Sequence, residues 1–151
     1  MNAAQIHLAL NHLPVVLPLV ATPLLAIGLI RGSLDVQEVA WALLFLAAVA
    51  AWPVYLSGEP TEAIAKNYPG VSRLAIHDHQ QSAKITLVLL QIVGALSLLR
   101  WLWSRRRRAM PRLVDWALVL LALVAFGSVA RTGHLGGLVR HEEIQRGPYL
   151  Q

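Results

Sequence analysis

Histidine is the residue type through which this chain can do chemistry. It has six histidines and no cysteine. They stand in three local pairs: His7 and His12, His77 and His79, His134 and His141. The last pair belongs to Arg131-Thr-Gly-His134-Leu-Gly-Gly-Leu-Val-Arg-His141, which packs two histidines, two arginines and three glycines into eleven residues. Each interior glycine costs a helix about 0.5–1 kcal/mol relative to alanine. A membrane helix that ends this way needs its backbone close to something. The expectation is that this segment closes over a histidine-ligated site, with haem the foremost occupant. Neutral imidazole is a common axial haem ligand and the commonest metal ligand generally. Without thiols, the sequence excludes disulfides, thiolate-held iron–sulfur clusters, covalent c-type haem attachment and a cysteine nucleophile.

The elements that must position these histidines are membrane helices. Hydrophobic residues make up 56% of the 151-residue chain and charged residues only 14%. A soluble domain has about 25% charged residues. The apolar residues are also blocked into long runs. They predict one all-α domain over 1–151, an up-down-up-down bundle of four membrane helices spanning about 13–30, 39–56, 83–101 and 114–131. The first run holds Pro14, Pro18 and Pro23, tolerable where neighbours satisfy the freed carbonyls. The second has Trp41 near one end and Trp52 and Tyr55 near the other, as an interfacial belt would. Ser57-Gly58-Glu59-Pro60 reads as its end, and Thr61–Ala75 as a polar connection. Ile76–Trp103 reads as one long helix with a polar front. Lys84 and Arg100 snorkel to complete its span. Pro111 opens the fourth helix, and Arg131 opens the glycine-rich ending. Gln91 reads as an interhelical hydrogen bond, and Gly94, Ala95, Gly127 and Ser128 as close-packing positions. The start of the chain has no Lys/Arg-rich signal-peptide region, so Met1 onward is expected to be mature protein.

Topology gathers the histidines on one face. Arg31, Arg100, Arg105–Arg108 and Arg112, seven of the thirteen basic residues, share one side. The other six are spread over the opposite side. The tight arginine cluster beside membrane ends places its side in the cytoplasm. Both termini are then expected outside, with the chain in a bacterial inner membrane. The net charge of +5 is thereby a topology signal, not a nucleic-acid footprint. All three histidine pairs fall on the side away from the arginines.

Helical geometry trims the ligand set. His77 and His79 are two residues apart, roughly 200° around a helix, so only one of them faces the interior. His7 and His12, five apart, differ by roughly 140° and do not both face one ligand. His134 and His141 cannot be placed by periodicity, because Gly136 and Gly137 stand between them. These spacings, and the lack of an H-E-x-x-H pattern, disfavour a zinc site. Ligands drawn singly from different helices suit a bis-histidine haem b between helices, with room in the set for one haem or two. Arg131 and Arg140 would pair with its propionates, because guanidinium matches carboxylate geometry. No nucleophile–base pair, phosphate loop or paired carboxylates appear, so hydrolytic and transfer chemistry are not expected.

A series of short motifs runs the length of the chain: Asn11-His12-Leu13-Pro14, Leu56-Ser57-Gly58, the His79 region, and Gly136-Gly137-Leu138-Val139 followed by His141. The series resembles a bacterial membrane family catalogued as a domain of unknown function, with a V-H-F-P start, T-G or S-G after its second helix, a histidine at its third and a G-G-x-L-V-Y ending. Some of its members are fused to Rieske iron–sulfur domains, and the family is suspected of binding haem. By position, the resemblance matches His12 to the first-helix histidine, His79 or His77 to the third-helix one and His141 to the last. Leu13 replaces the phenylalanine, Arg140 stands where an aromatic is usual, and Glu142-Glu143 replaces a glycine-rich ending.

The expectation is therefore a membrane-embedded, cytochrome b-like protein. Its haem would be held near the outer face by histidines drawn from His12, His79, His141, His134, His77 and His7. It would pass electrons between a quinone pool and a Rieske or cytochrome c partner, or within a larger membrane redox complex, as a carrier more than a complete enzyme. Two other readings fit the same residues. One is a cofactor-free structural or assembly subunit with solvated histidines. The other is a copper- or zinc-binding membrane protein, with His12, His79, His134 and His141 as ligands.

Overall fold

The computed structural model describes residues 3–67, 71–106 and 110–139. Five helices run α1 (Ala3–Leu10), α2 (Leu13–Arg31), α3 (Leu34–Ala65), α4 (Arg73–Arg105) and α5 (Arg112–Leu138). No strand occurs among the described residues. Four helical segments, Gln5–Arg31, Leu34–Ala65, Arg73–Arg105 and Arg112–Leu138, are long and apolar enough to cross a membrane. This is the all-α bundle that the apolar runs predict. Each long helix packs on the next, and α2 also packs on α5, so the four close into a ring. The short α1 lies against α3.

Local sequence explains most of the helix ends. Pro14 falls in the first turn of α2, where its missing N–H costs nothing. Gly32 ends that helix with φ +66°, a left-handed conformation that glycine adopts without strain. The Gly32 N–H bonds Leu29 O at 3.3 Å and the Ser33 N–H bonds Gly28 O at 2.9 Å. This pair of reversed bonds is a Schellman ending. Ser33 then begins α3 as its N-cap residue. Ser72 caps α4 by accepting from the Ala75 N–H at 3.2 Å.

Two ends differ from the sequence expectation. The second membrane helix does not stop at Ser57-Gly58-Glu59-Pro60; α3 continues through them to Ala65. Pro60 removes one backbone bond, but the Thr61 hydroxyl donates to Ser57 O at 2.6 Å, and α1 packs along this helix. The last helix does not stop at Arg131 either; α5 runs on through Gly133, Gly136 and Gly137 to Leu138. At Gly136 that cost goes with close packing on His79 of α4, whereas Gly133 and Gly137 have nothing within 4 Å of an added Cβ. With 32 and 33 residues, α3 and α4 each measure about 50 Å. A hydrocarbon layer is about 30 Å thick. The surplus projects at the end where the histidines sit.

Small residues set the approach of α3 and α4. A Cβ on Gly94 would lie 2.3 Å from the Ala48 Cβ and 3.5 Å from Leu44 O. Beside this contact, the Gln91 side chain donates to Ala48 O at 2.8 Å, the interhelical bond expected of it. Gly127 has nothing within 4 Å of such a Cβ, so the close-packing role expected of it does not hold. Replacing Gly94 by alanine is expected to destabilise the bundle by about 1–2 kcal/mol, because overpacking outweighs the better helix propensity. The double variant Gly94→Ala/Ala48→Gly should recover part of the loss. Thermal unfolding in detergent checks both, and a neutral single variant would show that α3 and α4 separate at little cost.

The arginine-rich end is tied by charge. Arg100 does not snorkel outward. Its Nε donates to Asp115 Oδ1 at 2.7 Å and its Nη2 to Oδ2 at 3.2 Å. Its guanidinium also lies 4.5 Å over the Trp41 ring.

Candidate functional site

Four elements converge beyond the apolar middle: α1, the last turns of α3, the first turns of α4 and the end of α5. Two histidines are half-buried there, His7 on α1 and His79 on α4. The His7 Nδ1–H donates to Val54 O at 2.9 Å, with Ser57 Oγ at 3.2 Å. The His79 Nδ1–H donates to Thr132 O at 3.0 Å. A carbonyl oxygen only accepts, so in each ring the proton sits on Nδ1. A neutral imidazole held this way presents Nε2 as its free lone pair. Metal-binding histidines are commonly fixed by this arrangement, the second nitrogen bonded to a carbonyl or carboxylate.

Glycine admits the rings. A Cβ on Gly136 would come within 3.1 Å of His79 Cε1 and 3.3 Å of its Nδ1. The glycine-rich ending thus brings its backbone against an imidazole, as its composition suggested. Gly58 borders the His7 ring, where a Cβ would lie 3.8 Å from Cε1. Glu62, on the extended α3, reaches across to α4 beside His79. Glu62 is held in turn: its Oε2 accepts from Gln80 Nε2 at 2.6 Å and lies 3.5 Å from Lys66 Nζ. Gln80 lies next to His79 on α4, and Glu62 lies on the extended α3. In the fold the two bind each other on adjacent helices.

Below His79 runs a cluster of hydroxyls between α4 and α5. Thr132 Oγ1 is 2.7 Å from Ser82 Oγ and 2.8 Å from Thr86 Oγ1, which is 2.6 Å from Ser128 Oγ. Such bonds join membrane helices. Thr132 is the residue that sequence reasoning missed. Its signal was present: Ser128, Thr132 and Gly136 stand at i, i+4 and i+8. They share one helix face, provided the helix is carried past Arg131.

The fold separates His77 from His79 as their angle requires, and it parts His7 from His12 by ending α1 at Leu10 before α2 begins. His79 turns inward while His77 is exposed, 3.7 Å from Asp78 Oδ1. His7 turns inward while His12 is exposed at the start of α2, without a side-chain cap bond. His12 is the ligand to which the family motif pointed, so the inward member of its pair is the other one. His134 and Arg131 on α5 are both exposed. Arg140 and His141 lie outside the described residues. Among those described, no three His, Cys, Asp or Glu side chains converge as a metal-binding group.

The family model described as a predicted membrane protein (DUF2231) matches residues 3–143. The chain belongs to that family. The match takes in all five helices and the four candidate spans, so the membrane bundle and the family description agree. No curated protein and no solved structure matches the chain.

Proposed function

We propose that this member of the family is a cytochrome b-like membrane protein that binds haem b through His7 and His79. The reading rests on one observation: two half-buried imidazoles on different helices, each tied by Nδ1–H to a backbone carbonyl, which makes Nε2 the lone-pair nitrogen of each ring. The donor set fits a low-spin haem iron, whose two axial positions a pair of imidazoles would fill. A structural zinc site takes four protein ligands and a catalytic one three, and no such group forms among the described residues. When bound, haem supplies one-electron transfer. Val54 and Thr132 hold the two rings in one tautomer, and Gly136 leaves room for His79. Arg131, exposed towards the same end of α5, is the cation on hand for a propionate. The proposed role is electron transfer between a quinone pool and a redox partner at the outer face, such as a Rieske protein or cytochrome c, in a bacterial inner membrane with both termini outside.

A cofactor-free structural role is favoured by the same bonds seen differently, since His7 ties α1 to α3 and His79 ties α4 to α5. The absorption spectrum of the detergent-purified full chain separates the two. The expected result is a Soret band with sharp α and β bands on dithionite reduction, at one haem per chain. A colourless protein made with ample haem would discard electron transfer. Copper or zinc bound to that colourless sample would make it a metal-binding protein instead.

A further inference from the structure

At the opposite end of the bundle, an apolar groove opens between the start of α3 and the end of α4. It is lined by Trp41, Ala42, Phe45, Leu98 and Trp101 and has a volume of about 200 Å³. The Arg105 guanidinium stacks 5.1 Å over Trp101, one wall of the groove. One of its nitrogens, Nη2, donates to Glu38 Oε2 at 2.8 Å, which leaves other N–H donors on a guanidinium that has five. Arg106 follows, exposed. Among the described residues this end carries Arg31, Arg100, Arg105, Arg106 and Arg112 against Asp35, Glu38 and Asp115, five arginines to three carboxylates.

We propose that this groove binds one acyl chain of an anionic phospholipid, whose headgroup phosphate is held by Arg105 and Arg106. Size decides the kind of occupant. Pockets for whole small molecules run from about 300 to 1,000 Å³, so a space of about 200 Å³ takes part of a longer apolar molecule, such as a stretch of acyl chain. The lining has no polar side chain to orient a headgroup inside it. Charge decides the headgroup. Clusters of arginine beside a membrane helix attract anionic lipid, and the planar fork of arginine suits phosphate oxygens. The site is far from the histidines and stands or falls apart from any haem.

The test uses quenching of the tryptophan fluorescence by brominated lipid in vesicles holding the full chain. Dibrominated phosphatidylglycerol in a phosphatidylcholine background is compared with the reverse mixture. The expected result is stronger quenching by the anionic lipid. That preference should fall about fivefold for each of Arg105→Gln and Arg106→Gln, the effect of one interfacial arginine. The variant Ala42→Phe fills the groove from an exposed position and keeps every arginine. It should abolish the preference. Equal quenching by both lipids in the native chain would overturn the anionic headgroup. A preference surviving in Ala42→Phe would reduce the effect to surface charge and overturn the groove. Displacement of the brominated lipid by a stoichiometric short-tailed quinone would assign the groove to quinone and overturn the lipid.

Discussion

Replacing His79 by alanine is expected to remove the low-spin haem spectrum and lower haem affinity at least tenfold. Loss of a group that merely supports a ligand costs about 10–100-fold, so loss of the ligand itself should cost no less. His7→Ala should do the same. His12→Ala and His77→Ala, at exposed positions, should leave the spectrum unchanged. These four variants separate the inward pair from the outward pair by one titration of haem into each apoprotein. The imidazole of His79 also bonds Thr132 O across two helices, so a loss of binding has two possible causes. Exogenous imidazole tells them apart. In His79→Gly it should restore a low-spin spectrum if the side chain is a ligand, whereas a purely structural tie offers no such rescue. Unchanged spectra in both inward variants would remove His7 and His79 from the site. A spectrum lost in His12→Ala alone would return the assignment to the residue that the family motif favoured.

How far the sequence could reach is clear from the two helices it cut short. The four apolar runs, the bundle of helices and the split between an inward His79 and an outward His77 follow from hydropathy and from 100° per residue. What failed was reading Ser57-Gly58-Glu59-Pro60 and Arg131 as stops. Glycine and proline are punctuation by local propensity, and tertiary packing overrode that propensity at both places. The extended α3 carries Ser57 and Glu62 up to the site, and the extended α5 carries Thr132 and Gly136. The carbonyls that fix the imidazoles were invisible for a further reason: every residue has one, so no side-chain pattern marks Val54 or Thr132 as a partner. His7 stands apart from the apolar runs, ahead of the first of them. It acquires its place only when α1 packs on α3.

Replacing Asp115 by alanine should be the most destabilising single change at the arginine-rich end, at about 3–5 kcal/mol, since it leaves a buried guanidinium unpaired. The side chains of Arg100 and Asp115 are only 11% and 3% exposed. Their two parallel bonds join α4 to α5, and the stacking of Arg100 on Trp41 adds α3. That cost measures a stranded charge, not the net worth of the pair. Buried pairs replaced by apolar side chains of similar volume are often neutral or better. The double variant Arg100→Leu/Asp115→Leu should therefore be clearly more stable than Asp115→Ala alone. Thermal unfolding of the three proteins in one detergent gives both numbers. If Asp115→Ala loses less than about 1 kcal/mol, in the range of a solvent-exposed pair, then water or headgroups reach Arg100 and the pair is not a clamp. If the double variant is as poor as the single one, the ionic contact itself holds α4 and α5 in register at the end of the bundle opposite the histidines.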